Sequence, residues 1–301
     1  MILSRPVEAT ELDWTCFRRR PAFGRAVGQS GAPYCGMSYV RAFSSLGCPG
    51  SSLDEVLTLA ARHQVAAVEL RSLGGTLDLS AYFAKLHRSP AALADRLRDS
   101  PVRIAAFDTG LHLVDPAPGE REKFLEFLPW AEALGVRWLR VFDGGKSAGT
   151  EELARAAEAM DWWRTTRRAH GWQADLMIET HDSLFTAGAI GRFLALVPDA
   201  AILWDSHHTW KRGGEDPVVT WQAIKSQVVH IHVKDSVSRP GANHPYTYVL
   251  PGTGEFPMTA LRQVLHAEYS GPLSLEWEKL WHPALPSLDE ALNAATERGW
   301  W

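Results

Sequence analysis

The sequence predicts an α/β fold, a (β/α)8 TIM barrel forming a single domain behind an irregular N-terminal arm. Three observations predict it. Short β-type runs recur eight times, each followed by a longer amphipathic stretch rich in Ala, Leu, Glu and Arg; that alternation gives parallel strands joined by right-handed crossovers. Eight such units in about 260 residues match the usual barrel length of about 250. An open doubly wound sheet would want a glycine-rich phosphate turn after an early run, and "LRSLGGT" has glycines without the dinucleotide spacing.

Residues 1–35 mix Arg, Pro and Gly without a sustained period and are read as the arm; residues 36–301 carry the barrel. The eight runs are MSYVRAF (37–43), VAAVEL (65–70), VRIAAF (102–107), VRWLRVF (136–142), DLMIET (175–180), AAILWD (200–205), VVHIHV (228–233) and LSLEWE (273–278). Between them lie helices with start and stop signals. SSLDEVLTLAARH opens with Ser and an acid three residues on, the capping-box pattern. PGEREKFLEFLPWAEALG ends at Gly135. TEELARAAEAMDWWRTTRRAHG begins at Thr150, carries two Glu in its first turn and stops at Gly171.

Composition narrows the function. Of 301 residues, 46% are hydrophobic and 22% charged, an ordinary globular balance. Lys and Arg number 31 against 35 Asp and Glu, so no basic excess advertises a nucleic-acid partner. Cys16, Cys35 and Cys48 have neither metal-type nor redox spacing, and a sparse, odd count fits a reducing compartment. No signal-peptide pattern opens the chain, and no stretch approaches the roughly 20 apolar residues of a membrane helix. The expectation is a soluble cytoplasmic protein with no membrane partner; oligomeric state, a homo-oligomer included, stays open. Thirteen Trp suit either a core or a sugar-stacking surface.

Chemistry in such a barrel sits at the C-terminal strand ends, and strand period 2 says which side chains face the axis there. In DLMIETHD, Met177, Glu179 and His181 share the inward face. In AILWDSHH, Leu203 and Asp205 point inward, Ile202 and Trp204 outward, and His207 and His208 follow on a loop. His230, His232 and Lys234 line up inward on the seventh run; Ser274, Glu276 and Glu278 do so on the eighth, with Trp277 outward. Four consecutive strands thus deliver Glu179, Asp205, His232 and Glu276 to one place. Taken singly, a strand-end acid is as readily a rim residue or a cap. Three carboxylates converging in a low-dielectric site repel and raise one another's pKa, and a divalent cation keeps them ionised together. An O,O,O,N donor set suits Mn²⁺, Mg²⁺ or Co²⁺ and also holds Zn²⁺, Mn²⁺ being favoured. No Cys among the donors argues against a structural zinc site.

The strings IETHDSLFTAG, LWDSHHTW, HIHVKDS and SLEWEKLWHP resemble the xylose isomerase-like TIM-barrel superfamily, nearest to its sugar phosphate isomerase/epimerase branch. The resemblance runs from about residue 36 to 290, includes ARHQVAAVELR at the second strand, and is most specific from strand five to strand eight. It implies one divalent metal held by Glu179, Asp205, His232 and Glu276, with Glu179 and Glu276 also moving the proton. It implies that His208 contacts substrate oxygens. The arm has no counterpart in the shortest members.

The implied chemistry is loss of a proton beside a metal-bound carbonyl to give an enediolate. Return to the opposite face is epimerisation, return to the next carbon isomerisation, and loss of a β-hydroxyl dehydration. The partner is then a small-molecule sugar or polyol, and the absence of a phosphate-cradling glycine loop favours an unphosphorylated one. Lys234 polarises a substrate oxygen, meets a phosphate, or forms a rim ion pair. His181 protonates a leaving hydroxyl or buttresses Glu179, and Glu278 lies at the rim. Glu69 and Arg71 end strand two pointing inward; Glu69 touches substrate or pairs with Arg140. Trp210 and Trp281, on the loops after strands six and eight, stack on a sugar or pack their loops; Trp204 and Trp277 belong to the core.

Competing classes are a metal-dependent dehydratase of a keto-inositol or related polyol, an endonuclease for abasic DNA, and a non-catalytic barrel. The nuclease wants extra His ligands where strand two offers Glu69, and the net charge of −4 opposes it. Convergent acids without a metal would cost a retired barrel stability.

Overall fold

The computed structural model describes residues 39–241 and 244–301. The N-terminal arm, Cys16, Cys35 and the first two residues of the first run lie outside the described residues. In chain order the elements are β1 (Val40–Ser44), a 3₁₀ turn (Ser45–Gly47), α1 (Leu53–Arg62), β2 (Ala67–Leu70), α2 (Leu79–Leu86), α3 (Pro90–Leu97), β3 (Arg103–His112), α4 (Glu120–Leu125), α5 (Leu128–Leu134), β4 (Trp138–Phe142), α6 (Thr150–His170), β5 (Asp175–Glu179), α7 (Ala187–Leu196), β6 (Ile202–Asp205), α8 (Ser206–Lys211), α9 (Pro217–Ile224), β7 (Val228–Val233), β8 (Asp235–Val237), β9 (Thr247–Val249), α10 (Met258–Glu268), β10 (Pro272–Leu275) and α11 (Leu288–Glu297).

Eight strands close a parallel barrel in the order β1-β10-β7-β6-β5-β4-β3-β2. Each is paired on both sides, so no edge is left open. The sequence predicts every one of these strands within a few residues. The strand-period reading of faces also holds. Ala106, Met177 and Leu203 form a small apolar cluster of their own, while Ile178, Ile202, Trp204, Ile231, Leu273 and Trp277 join the large outer core. Trp204 and Trp277 are fully buried, their indole N–H groups donating to Thr209 Oγ1 and to the Pro286 carbonyl.

Local signals account for the helix ends. Ser52 and Glu55 form the capping box of α1. Gly135 and Gly171 end α5 and α6 at φ 65° and 69°, the left-handed region that glycine enters without a Cβ clash. Three features depart from the sequence reading. The stretch before Gly135 is two helices, not one. Pro129 has no N–H to give the Leu125 carbonyl, and the chain re-starts as α5 with Pro at the first turn. Residues 206–211 are a helix, not a loop, because the Asp205 carboxylate caps it. After β7 comes an antiparallel β8–β9 pair that no run suggested. No helix among the described residues is long and apolar enough to cross a membrane.

Candidate functional site

Barrel register sets the site. Asp205 at the end of β6 lies opposite His232 on β7, and His232 lies opposite Ser274 on β10. Glu179 ends β5, and Glu276 follows β10, its N–H on the Val233 carbonyl at 3.1 Å. These neighbouring strand ends bring one donor atom from each of Glu179, Asp205, His232 and Glu276 within 4.8 Å of one another, all four residues buried. His232 Nδ1 lies 3.5 Å from Glu179 Oε1 and 3.4 Å from Glu276 Oε2. The ring's other nitrogen, Nε2, is 3.0 Å from Glu69 Oε1, and Glu69 Oε2 is 2.7 Å from His230 Nε2. Asp205 uses Oδ1 to accept the His207 and His208 N–H groups, both at 2.9 Å, which leaves Oδ2 toward the cluster.

The donor set fits a divalent cation. Glu179 Oε2, Asp205 Oδ2 and His232 Nδ1 are buried without a hydrogen bond, and three carboxylates with one imidazole are hard and borderline donors of the kind such ions take. Positive charge around the acids is already substantial. Lys234 Nζ sits among Asp205 Oδ2 at 2.8 Å, Glu276, and Glu278 Oε1 at 2.5 Å. Arg140 Nε lies 3.3 Å from Glu179 Oε2 and 3.9 Å from Asp108 Oδ1. Burial opposes ionisation of both glutamates, yet Arg140 holds Glu179 below the usual carboxylate range, and His232 and Lys234 hold Glu276 well below it. Burial pushes Asp205 up to about 6 against the pull of Lys234. Burial also opposes charging His232, but Glu276 and Glu69 outweigh it and raise its pKa well above the usual value.

Above this cluster is a small cavity of about 70 Å³. Of the predicted substrate contacts, His181, His208, Lys234, Arg71 and Trp281 line it, together with Glu179 and Glu276. His208, driven neutral by burial, has Nδ1 3.2 Å from Asp205 Oδ2. His181 is partly open, 2.8 Å from Asp182 Oδ1; burial opposes its charge, and Asp182 and Glu179 raise its pKa nonetheless. Trp281 is 49% exposed and free to meet a ligand.

Four expectations are corrected. Glu69 does not reach the cavity: it is fully buried and its two oxygens face His230 and His232. Nor does it pair with Arg140, which turns to Glu179 and Asp108 instead. Trp210 packs against Phe256, with ring centroids 5.4 Å apart, and under Lys211, away from the cavity. Lys234 forms no rim ion pair: it is 1% exposed among three acids.

Other residues went unnoticed in the sequence. Asp143, one residue past β4, accepts from the N–H groups of His181, Asp182, Ser183 and Leu184 and from Ser183 Oγ, which fixes the loop carrying His181. Asp235 accepts from Ser236, Gly252, Gly254 and Phe256. Asp108 is buried with neither oxygen hydrogen-bonded, and burial together with Glu69 raises its pKa well above normal. The signal for Asp143 and Asp235 was available: an acid directly at a strand end, in VFDGG and VKDS.

Comparisons with known proteins agree with this architecture. A family model described as a xylose isomerase-like TIM barrel matches residues 57–300. No curated protein sequence matches significantly. Among solved structures, the probable 3-DHS dehydratase AsbF of petrobactin synthesis from Bacillus anthracis superposes with a TM-score of 0.70 at 19% identity, over 86% of this chain and 99% of that one. The IolI protein, solved with a bound zinc atom, gives 0.64 at 17% identity over 86% and 96%. A xylose isomerase domain-containing protein from Salmonella typhimurium LT2 gives 0.66 at 14% over 89% and 98%. At these identities the likeness is one of fold.

Proposed function

The chain belongs to the xylose isomerase-like TIM-barrel family, and from that premise we propose that it is a divalent-metal-dependent isomerase or epimerase of a sugar or polyol. The observation that carries this is the convergence of Glu179, Asp205, His232 and Glu276, with three of their donor atoms buried and held by ion pairs rather than hydrogen bonds. The residues that would hold the metal are those four. When bound, the cation supplies Lewis-acid polarisation of a substrate carbonyl, with Mn²⁺ the favoured ion and Mg²⁺, Co²⁺ or Zn²⁺ compatible with the same donors. The IolI neighbour was solved with zinc, which supports a metal in this fold.

The side chains supply the proton traffic. Glu179 and Glu276 both open onto the cavity and both stand ionised in the ligand-free protein. Either is competent to remove a proton from the carbon beside the carbonyl. For isomerisation the carboxylate that took the proton returns it to the neighbouring carbon, and the hydroxyl on the carbon that lost it passes its proton to the former carbonyl oxygen, a transfer the second glutamate can relay. Epimerisation needs the other glutamate to deliver from the opposite face. His208, neutral and buried, gives its one ring N–H from Nδ1 toward the Thr180 carbonyl and Asp205 Oδ2, so its Nε2 accepts from a substrate hydroxyl; Lys234 keeps the acids balanced.

A dehydratase is the second reading, and His181 favours it. Its raised pKa and place at the cavity wall suit an acid that protonates a leaving hydroxyl, and one structural neighbour is described as a probable dehydratase. Incubation of the Mn²⁺-loaded protein in D₂O with a panel of ketoses and polyol-derived ketones tests both. Solvent deuterium in recovered sugar, without dehydration, supports the isomerase; a UV-absorbing enone supports the dehydratase. Glu179→Gln should abolish either signal, and a variant as active as the parent would contradict the assignment.

A further inference from the structure

One charged group at the cavity makes no close ion pair among the described residues, although Asp108, Glu179 and Glu276 act on it from farther away. Arg71, the residue after β2, is 8% exposed and lines the cavity together with Glu276, His181 and Trp281. Its backbone is fixed, since the Arg71 N–H donates to Ser45 Oγ at 2.9 Å. Its guanidinium carries five N–H donors, of which one hydrogen bond is made, from Nη1 to the Asp108 carbonyl at 3.3 Å. Among the described residues no carboxylate lies within 4.0 Å of it. The other arginine of the cavity is differently placed: Arg140 has Glu179 and Asp108 within that distance and donates to the Thr109 carbonyl at 3.1 Å. Each of the remaining cavity charges, Lys234 included, is likewise partnered.

An almost buried guanidinium without an anion in direct contact is costly. Burial and the like charge of Arg140 lower its pKa to about 10 against the more distant pull of Asp108, Glu179 and Glu276, so it remains charged at neutral pH. A fixed, charged fork that faces a small cavity beside a carboxylate cluster is a binding group awaiting an anion from the ligand. We propose that Arg71 is a carboxylate-recognition residue and that the substrate is an acidic sugar or polyol, whose carboxylate docks on Arg71 while its reacting carbons face Glu179 and Glu276. The second half of that statement rests on the function proposed above; the anion preference does not.

Carboxylate is favoured over phosphate on geometry. A planar carboxylate matches a single guanidinium fork with two parallel hydrogen bonds. A phosphate monoester presents three oxygens, and the cavity, about 70 Å³, supplies neither a glycine-rich loop nor a second unpaired cation.

The test is calorimetric titration of the full chain, metal-free and Mn²⁺-loaded, with three probes: D-gluconate, D-glucitol and D-glucose 6-phosphate. Gluconate and glucitol share a carbon skeleton and differ in the carboxylate. The metal-free protein should bind gluconate at least about tenfold more tightly than glucitol. Arg71→Gln should erase that difference. Arg71→Lys, which keeps charge and bulk but loses the fork, should erase most of it, and it serves if the glutamine variant is unfolded by circular dichroism. Equal affinity for gluconate and glucitol, or an undiminished preference in both variants, overturns the proposal. A preference for glucose 6-phosphate over gluconate overturns the carboxylate assignment. Failure to take up Mn²⁺ would count against the metal-dependent function alone, because the anion preference is read without metal.

Discussion

Glu69 Oε1 lies 3.0 Å from His232 Nε2, across the imidazole ring from Glu179 and Glu276, which face Nδ1. A carboxylate behind a ligating histidine fixes its tautomer, turns its free lone pair toward the metal position and raises its basicity. Glu69 therefore acts on the site through His232, although it never reaches the cavity. Glu69→Gln preserves shape and removes the charge. Mn²⁺ affinity, followed by competition with a chromogenic chelator, should fall roughly 10- to 100-fold while the circular dichroism spectrum stays unchanged. An unaltered affinity would reduce Glu69 to a filler of the barrel interior.

His181 separates the two chemical readings. Its Nδ1 is 2.8 Å from Asp182, and removal of a general acid typically costs about 10²- to 10⁴-fold in rate. His181→Gln should leave deuterium wash-in largely intact if the protein is an isomerase. A loss of that size in enone formation identifies the dehydratase instead.

Asp143 organises the loop on which His181 stands. Five hydrogen bonds converge on its buried carboxylate, at 2.6 to 3.2 Å. Asp143→Ala orphans four backbone N–H groups at once, and the stability read from urea denaturation should drop by about 2–4 kcal/mol. A midpoint equal to the parent's would show that water substitutes for the carboxylate.

Asp289 clips the start of α11 to the end of α1. Its Oδ1 is 2.6 Å from His63 Nε2 and also accepts from Arg62. The His63 hydrogen bond, with Arg62, holds the Asp289 carboxyl below its ordinary range. A depressed carboxylate stabilises the fold above the unfolded-state pKa, about 4. That stabilisation is lost as pH falls through the lower folded-state value. The side chain is 43% exposed, so solvent screening keeps the contribution below about 1 kcal/mol. Asp289→Asn should lower the melting temperature slightly at pH 7, and the gap from the parent should close below about pH 4. A gap that persists or widens in acid would contradict the linkage.

What the sequence reveals and what it conceals follow from the range of the interactions involved. Strand period 2 and the strand-end position of Glu179, Asp205, His232 and Glu276 are local, so their convergence was legible once eight alternating units implied a closed barrel. Lys234 shares the inward face of His232, but its three carboxylate partners come from two other strands, and no spacing along the chain announces them. Glu69 and Arg140 each have more than one acid or base within reach across the barrel, and only the register of neighbouring strands decides which they meet. Asp143 and Asp235 serve loop N–H groups, which turn chemistry places and hydrophobic periodicity does not. Of the two readings for Trp210, stacking on a sugar and packing, the second holds, because Asp205 caps a helix there and carries the indole onto Phe256.

The most direct test of the central claim is Mn²⁺ binding to the metal-stripped full chain, counted by electron paramagnetic resonance of free ion. The account predicts one tight ion per chain, lost in Asp205→Asn and in His232→Gln while both variants keep the parent's circular dichroism. No tight site in the parent, or a site that survives both substitutions in folded protein, would contradict it.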